Sequence, residues 1–418
     1  MVKFANYSLT RFFKPVTERP ENYTRRWSSS IAHPEVMLKI TIDTSPVLSK
    51  SSGIGFSVLK ILEELTKIAI ESEIEVQPIY QVSLKNALLR RSSTPESLKP
   101  YTNLKSVPIP IKITNLCIRY PKLFLPVFER SFGSCDIFHG TNYTVYPFRE
   151  SRQVMTIYDL TFIKYPQYCN KIVQAYADRV RRCLRWTDLI LTISESSKRD
   201  IVEHLGFDAD RIIVTPLASR YSAGYKPHVP TFQAYDLTRP FILFVSTIEP
   251  RKNIVGLIEA FDILKRTQKI DHDLVLVGQK GWLYEPIFER VARSPYRDSI
   301  YHLDYLPDDV VAEFYRHADV FVYPSHYEGF GMPVLEAMTL GAPVVCSNNS
   351  SLPEVARDAA VMIDSMDEIA IADAILKVIG DREFRQQLIG RGQERSMQFS
   401  WHHTAQETLR GYRLLEHY

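Results

Sequence analysis

The chain has 418 residues, 45% apolar and 24% charged; this excludes disordered and fibrous classes and makes room for two domains, or at most three. Its net charge of +3 hides an asymmetry, with 20 Lys+Arg against 13 Asp+Glu in residues 1–150 and 31 against 35 in the rest. A basic half suggests an anionic partner such as a phosphorylated acceptor or membrane headgroups, while the lack of a dense basic stripe or a recognised motif argues against nucleic acid.

In chain order, residues 1–35 are polar, basic and aperiodic, and read as an N-terminal extension. They carry Arg11, Lys14, Arg19, Arg25 and Arg26 with no apolar segment, so no secretory signal is expected. Short apolar runs then alternate with helical patterns. The strands expected in residues 36–217 are Met37–Ile42, Glu75–Ile79, Ile137–His139, Val154–Tyr158, Leu189–Ile193 and Arg211–Thr215, with helices over Phe56–Ala69, Lys171–Trp186 and Ser196–Leu205. The pattern lapses over 218–240, where Gly224, Pro227, Pro230 and Pro240 give linker composition. It resumes over 241–400 with strands at Phe241–Val245, Leu274–Val277, Ile300–His302, Val320–Tyr323, Pro343–Cys346 and Val361–Ile363, and helices at Ile254–Lys265, Val310–His317 and Ile369–Val378. Residues 401–418 read as a C-terminal helix, for which packing back on the first domain is one open placement. Uninterrupted apolar strands separated by helices predict parallel sheets covered on both faces. The expected architecture is α/β, two Rossmann-like domains facing across a cleft. No run approaches the roughly 18 apolar residues of a membrane span. Five widely spaced cysteines without C-x-x-C point to a reducing, cytoplasmic setting and away from disulfides or zinc.

Two stretches carry chemistry. In YPSHYEGFGMPVLEAM (Tyr323–Met338) a strand feeds a glycine-containing loop, and Pro333 marks the start of a helix that Gly341 closes. The backbone around Gly329, Phe330 and Gly331 with the helix dipole forms an anion site suited to a pyrophosphate or sugar hydroxyls. Glu328 lies in that loop and Glu336 one turn into the helix; the plainer readings are a solvated loop carboxylate and a dipole-stabilising one. In FILFVSTIEPRKNIVGLIEA (Phe241–Ala260), Arg251 and Lys252 stand before a helix start, where cations are disfavoured unless an anion is present. Together they suit a diphosphate, the plainer reading being two solvated charges, and Arg251 is expected to be exposed. In the first domain, Gly53 and Gly55 open the loop before the helix from Phe56; close approach to a ligand and a plain tight turn are both open readings there.

These stretches resemble the retaining glycosyltransferases of family 4, whose fold is called GT-B, and look closest to bacterial mannosyltransferases that build polysaccharides. The resemblance rests on Glu328 and Glu336 as the Glu-x7-Glu signature, on Arg251 and Lys252 in STIEPRKN, and on DLVLVGQKGW, HADVFVYPS and GAPVVCSNNSSLPEVA. It covers 240–365 strongly and 50–215 more loosely, through SSGIGFSV, DIFHGTNYTVYP and IYDLTF. It implies a nucleotide diphosphate sugar as donor, no cofactor, and a saccharide or lipid-linked acceptor. Glu336 would bind the donor's ribose, Arg251 and Lys252 its diphosphate, and Glu328 with the Gly329–Gly331 backbone its sugar. Asp159 is the first-domain carboxylate of the site. Two positions depart from the family pattern: Tyr158 replaces the usual histidine beside Asp159, and Asp304 a glycine. His139 is an alternative to the missing histidine, a structural role being the other reading. The D-x-D triplets Asp208–Asp210 and Asp271–Asp273 precede strands, at the end of the sheet opposite the ligand. They read as solvated turns, so no metal is expected. Ile111–Phe132, with Lys112, Arg119 and Lys122, reads either as a contact with a membrane or lipid acceptor, or as a helix on its own domain. An epimerase and an inactive nucleotide-sugar binder are the rival classes.

Overall fold

The computed structural model describes residues 37–47, 53–81, 94–110, 113–114, 118–120, 129–226, 235 and 238–417. The N-terminal extension, much of the expected linker and most of Ile111–Phe132 lie outside the described residues.

Two parallel sheets form from the apolar runs. The first contains β1 (Leu38–Asp43), β2 (Ile74–Gln81), β3 (Lys105–Val107), β4 (Ile137–Gly140), β5 (Arg152–Ile157), β6 (Leu189–Thr192) and β7 (Ile212–Val214), in the order β3-β2-β1-β4-β5-β6-β7. The second contains β8 (Phe241–Val245), β9 (Asp273–Val277), β10 (Ile300–Leu303), β11 (Val320–Tyr323), β12 (Val344–Ser347) and β13 (Ala360–Ile363), in the order β10-β9-β8-β11-β12-β13. In β5, β6, β11 and β12 every residue is buried, because helices cover both faces of a parallel sheet and leave no side for polar residues. All twelve expected strands form within two residues of their expected ends. The unexpected one, β3, is an edge strand of three residues with only Val107 buried, too short to show a period.

The helix pattern needs three corrections. The helix expected from Phe56 starts at Gly53 and runs to Ala69, so Gly53 and Gly55 belong to its first turn and not to a loop before it. Glycine's poor helix propensity hid this. The single helix expected over Lys171–Trp186 is two, Lys171–Gln174 and Tyr176–Cys183, broken at Ala175. Helices at Glu285–Arg293 and Arg382–Ser396 were not expected; the first is short but carries Ile287, Phe288 and Val291 on one core-facing side, and the second shows no clear apolar stripe.

In each sheet the strand order reverses once, between β1 and β4 and between β8 and β11. Ligands of open α/β sheets bind in the crevice at the carboxyl end of such a reversal. The loops that leave β8 and β11 contain Arg251, Lys252 and Glu328–Gly331. Topology therefore gathers the residues singled out above.

The final helix, Trp401–Leu414, returns to the first sheet and lies beside Gly53–Ala69. Gly411 makes this close packing feasible: a Cβ there would stand 3.0 Å from Leu189 Cδ2 and 3.1 Å from Leu191 Cδ2. Tyr412 Oη lies 2.7 Å from Nδ1 of buried His139, whose Nε2 is 2.7 Å from Thr156 Oγ1. Burial lowers the His139 pKa to about 3, so the ring is neutral and structural, and does not replace the missing cleft histidine. Tyr412→Phe should leave a buried ring nitrogen without its partner and lower unfolding stability by about 1–3 kcal/mol, read as a lower urea midpoint at unchanged slope.

Candidate active site

The loop after β8 makes one 3-10 turn, Pro250–Lys252, before the helix Ile254–Thr267. Asn253, at φ 53°, caps that helix by accepting from the Gly256 amide at 3.3 Å. The turn holds both cations at the helix's positive end. The loop after β11 ends at Gly331 (φ 105°), which caps the helix Met332–Leu340. A Cβ at Gly331 would lie 2.5 Å from Leu352 Cδ2, and one at Gly329 would lie 2.6 Å from the Tyr158 carbonyl oxygen of the first domain. Only glycine permits these approaches.

Glu328 joins the two loops. Its Oε1 lies 2.6 Å from Lys252 Nζ and its Oε2 2.9 Å from Arg251 Nη1. Arg251 also pairs with Glu249 at 2.7 Å and donates to the Tyr327 carbonyl at 2.7 Å. Lys252 donates to Tyr323 Oη at 2.7 Å. Arg251 is therefore not exposed, contrary to expectation, and Lys252 is buried beside it. Lys252 is 5% accessible, and the side chain of Arg251 is 14% accessible and paired. The sequence showed two adjacent cations but not the carboxylates that meet them. Burial alone would raise the Glu328 pKa, but Arg251 and Lys252 outweigh it and bring it to about 2. Asp159 adds to the field that keeps Arg251 protonated; its Oδ1 accepts from the Thr161 amide at 2.9 Å.

Glu336 occupies a different environment. It is buried on the helix Met332–Leu340, where Tyr315 Oη donates to it at 3.4 Å and Arg220 Nε stands 3.4 Å away without hydrogen-bond alignment. Burial pushes its pKa up to about 7 against the pull of Arg220. Arg220 pairs in turn with Asp308 and lies over the Phe56 ring of the first domain, 5.0 Å from its centroid. Arg220 and Tyr221 fall in the stretch read as linker, yet Tyr221 is buried and donates to the Asp308 carbonyl at 2.9 Å. Sequence reasoning missed them because proline- and glycine-rich composition outweighed two residues; the arginine-aromatic pair was the only signal.

Other expected residues are placed differently. The Tyr158 ring is buried edge-on against Tyr143, 5.9 Å between centroids, so its carbonyl and not its hydroxyl meets the Gly329 loop. Phe330 is buried with its ring edge-on to Phe399 at 5.8 Å, on the side away from the cations. The helix that begins with Gly53 and Gly55 meets the second domain where Ser57 Oγ lies 4.0 Å from Met332 Sδ. Asp304 is exposed and accepts from the Tyr305 amide at 2.7 Å. Of the D-x-D triplets, Asp208 caps a turn by accepting from the Asp210 amide. Asp273, in contrast, is buried, and with Asp271 it pairs with Arg239 at 3.6 and 3.8 Å, so that triplet is not a solvated turn. A cavity of about 570 Å³ lies behind the site, between helix Glu195–Leu205, Glu354 and helix Trp401–Leu414, and meets the site only at Phe330.

The family model "Glycosyl transferases group 1" matches residues 231–395. The chain is 38% identical over 397 residues to the O-antigen chain mannosyltransferase B of Escherichia coli, covering 90% of this chain and 100% of that protein. It is 32% identical over 240 residues to the serotype-specific mannosyltransferase WbdA of Escherichia coli, covering 55% of this chain and 29% of that one. Among solved structures, the sucrose-phosphate synthase of Thermosynechococcus elongatus superposes with a TM-score of 0.70 at 18% identity, over 90% of this chain and 99% of that one. At that identity the likeness shows the GT-B fold alone.

Arg251→Ala should destabilise the protein by about 3 kcal/mol, because it strands Glu249 and half of Glu328 in a buried site. Equilibrium urea unfolding measures it. For Glu336, the folded pKa of about 7 exceeds the ordinary value, so the folded chain binds the extra proton in the range between. That contribution is full below the unfolded pKa and is lost as pH rises through 7. Stability of the native protein relative to Glu336→Gln should therefore fall by about 2–3 kcal/mol between pH 5 and pH 8.

Proposed function

We propose that this chain, which belongs to the group 1 glycosyltransferases, transfers mannose from GDP-mannose to a hydroxyl of a saccharide or lipid-linked acceptor in polysaccharide assembly, with the anomeric configuration retained. The similarity along nearly the whole chain to an O-antigen mannosyltransferase supports the sugar and the pathway class. One observation carries the donor site: Arg251, Lys252 and Glu328 converge between two helix N-termini at the reversal of the second sheet. On this reading the anionic donor diphosphate binds where dipoles and cations are already fixed.

Glu328 is engaged by both cations, which suits holding a ligand and not attacking one. The reaction is accordingly a front-face displacement. The bond from the anomeric carbon to the diphosphate breaks as the acceptor oxygen bonds on the same face, and the acceptor's proton passes to the departing diphosphate. Arg251 and Lys252 stabilise the charge that develops there. Glu336, when ionised, accepts from the ribose hydroxyls. Asp208 accepts from a turn amide, and Asp271 and Asp273 pair with Arg239, all at the amino ends of β7 and β9; on this reading the reaction proceeds without divalent metal. Among the described residues no helix is long and apolar enough to cross a membrane. The basic first half makes peripheral contact with an anionic membrane surface from the cytoplasmic side.

One assay tests this reading. The protein is incubated with GDP-mannose, UDP-glucose or ADP-glucose and a mannose-terminated lipid acceptor in anionic or neutral vesicles. Mannose transfer from GDP-mannose with an α linkage, undiminished by excess chelator and faster on anionic vesicles at low salt, is expected. A β-linked product, chelator-sensitive transfer, equal rates on both vesicles or epimerised donor would each remove the corresponding part.

A further inference from the structure

The helix Glu195–Leu205 of the first domain accounts for its unpaired N-terminal amides in an unusual way. An α-helix begins with amides that no residue of the same helix can accept from. Ser194 Oγ accepts from Ser197 N at 3.0 Å, an ordinary cap. The other two are taken by a residue of the second domain: Glu354 Oε2 accepts from Glu195 N at 2.8 Å and Oε1 from Ser196 N at 2.9 Å. The next residues of the same helix also reach across. Ser197 Oγ lies 3.0 Å from the Tyr158 carbonyl of its own domain and 3.3 Å from the Gly329 carbonyl, and Asp200 Oδ2 accepts from Tyr327 Oη at 2.7 Å.

Glu354 stands on a five-residue helix, Leu352–Ala356, which is built as a rigid lever. Arg395 grips its C-terminal end, with Nη2 to the Glu354 carbonyl at 2.7 Å and Nε to the Val355 carbonyl at 2.9 Å. At the other end, Ser351 Oγ lies 3.0 Å from the Glu328 carbonyl and 2.8 Å from the Phe330 carbonyl, both in the loop that carries the donor-site carboxylate. One short helix thus touches the first domain through Glu354 and the donor loop through Ser351. When the domains part, water takes over the amides of Glu195 and Ser196, so the contact is reversible at little cost.

We infer that Glu354 is a positioning residue: its carboxylate latches the two domains by the N-terminus of helix Glu195–Leu205, and through Ser351 the latch fixes the loop Tyr327–Gly331 in its working position. Glu354 touches no substrate, and only the kinetic part of its test rests on the transferase reading above.

Glu354→Ala and Glu354→Gln are compared with the native full chain. The glutamine amide turns an N–H₂ toward one backbone N–H and keeps an acceptor for the other, so it retains at most one of the two bonds and loses the bidentate latch, whereas alanine loses both. Without ligand, amide hydrogen exchange over 194–198 and over 327–331 should quicken in both variants, by about tenfold in alanine, while the core strands β8 and β11 stay as protected as before. With donor and acceptor, kcat should fall by about tenfold, the ratio of donor hydrolysis to transfer should rise, and nucleotide affinity should hold within about twofold. Native exchange at 194–198, or quickened exchange there with 327–331 unchanged, overturns the latch or its coupling respectively. A native kcat with a native hydrolysis ratio overturns the catalytic part. If the native protein transfers no sugar, the transferase reading fails, and the exchange measurement still decides the latch.

Discussion

The bridge from Glu328 to Arg251 and Lys252 lets the two ligand loops of the second domain share one space. Two adjacent cations at the positive end of a helix repel each other and the dipole behind them. Glu328 and Glu249 cancel that repulsion, and the helix start can then remain buried. The bridge is short because β8 and β11 are neighbours at the reversal of the sheet. From it the backbone of Gly329 continues directly onto the Tyr158 carbonyl of the other domain. On the proposed reading, a diphosphate entering here would meet a neutralised, fixed array, and its binding would be an exchange of partners more than an attraction to bare charge.

Glu328 and Glu336 lie on one continuous loop and helix, yet hold their protons oppositely, at about 2 and about 7. Both are buried, so burial cannot be the difference. Two cations within hydrogen-bond distance reverse its effect at Glu328. At Glu336 a single guanidinium, already paired with Asp308 and out of alignment, does not. The same residue type in one signature thus supplies a fixed charge at one end and a titratable group at the other.

The sequence was most informative where burial is two-sided. The runs that became β8 and β11 are unbroken and apolar, and a parallel sheet leaves no other way to read them. Arg251, Lys252 and Glu328 were also legible as residue types at the ligand end. Their mutual neutralisation was not, since Lys252 and Glu328 are 76 positions apart and only the adjacency of β8 and β11 joins them. Arg220 was hidden by composition, Glu249 by its neighbours, and Glu354 because capping a helix of another domain leaves no trace in local pattern. Helix Arg382–Ser396 shows too little apolar face to announce itself, whereas Glu285–Arg293 was passed over for its shortness although Ile287, Phe288 and Val291 mark its buried side.

The return of the last helix to the first sheet has a consequence for the chain as an object. Trp401–Leu414 completes the layer beside Gly53–Ala69, with Gly411 against Leu189 and Leu191 and Tyr412 at His139. The first domain is therefore discontinuous, and its core closes only after the second domain has been synthesised. The polypeptide crosses between the domains twice, once near 218–240 and again near Ser400, so relative motion resembles a hinge with two pins: rotation about the line joining the crossings is easy, and separation along it is resisted by both. During synthesis the first domain stays unfinished until Trp401–Leu414 emerges, and an isolated N-terminal half would expose the apolar strip that Leu189, Leu191 and Ile213 present to that helix.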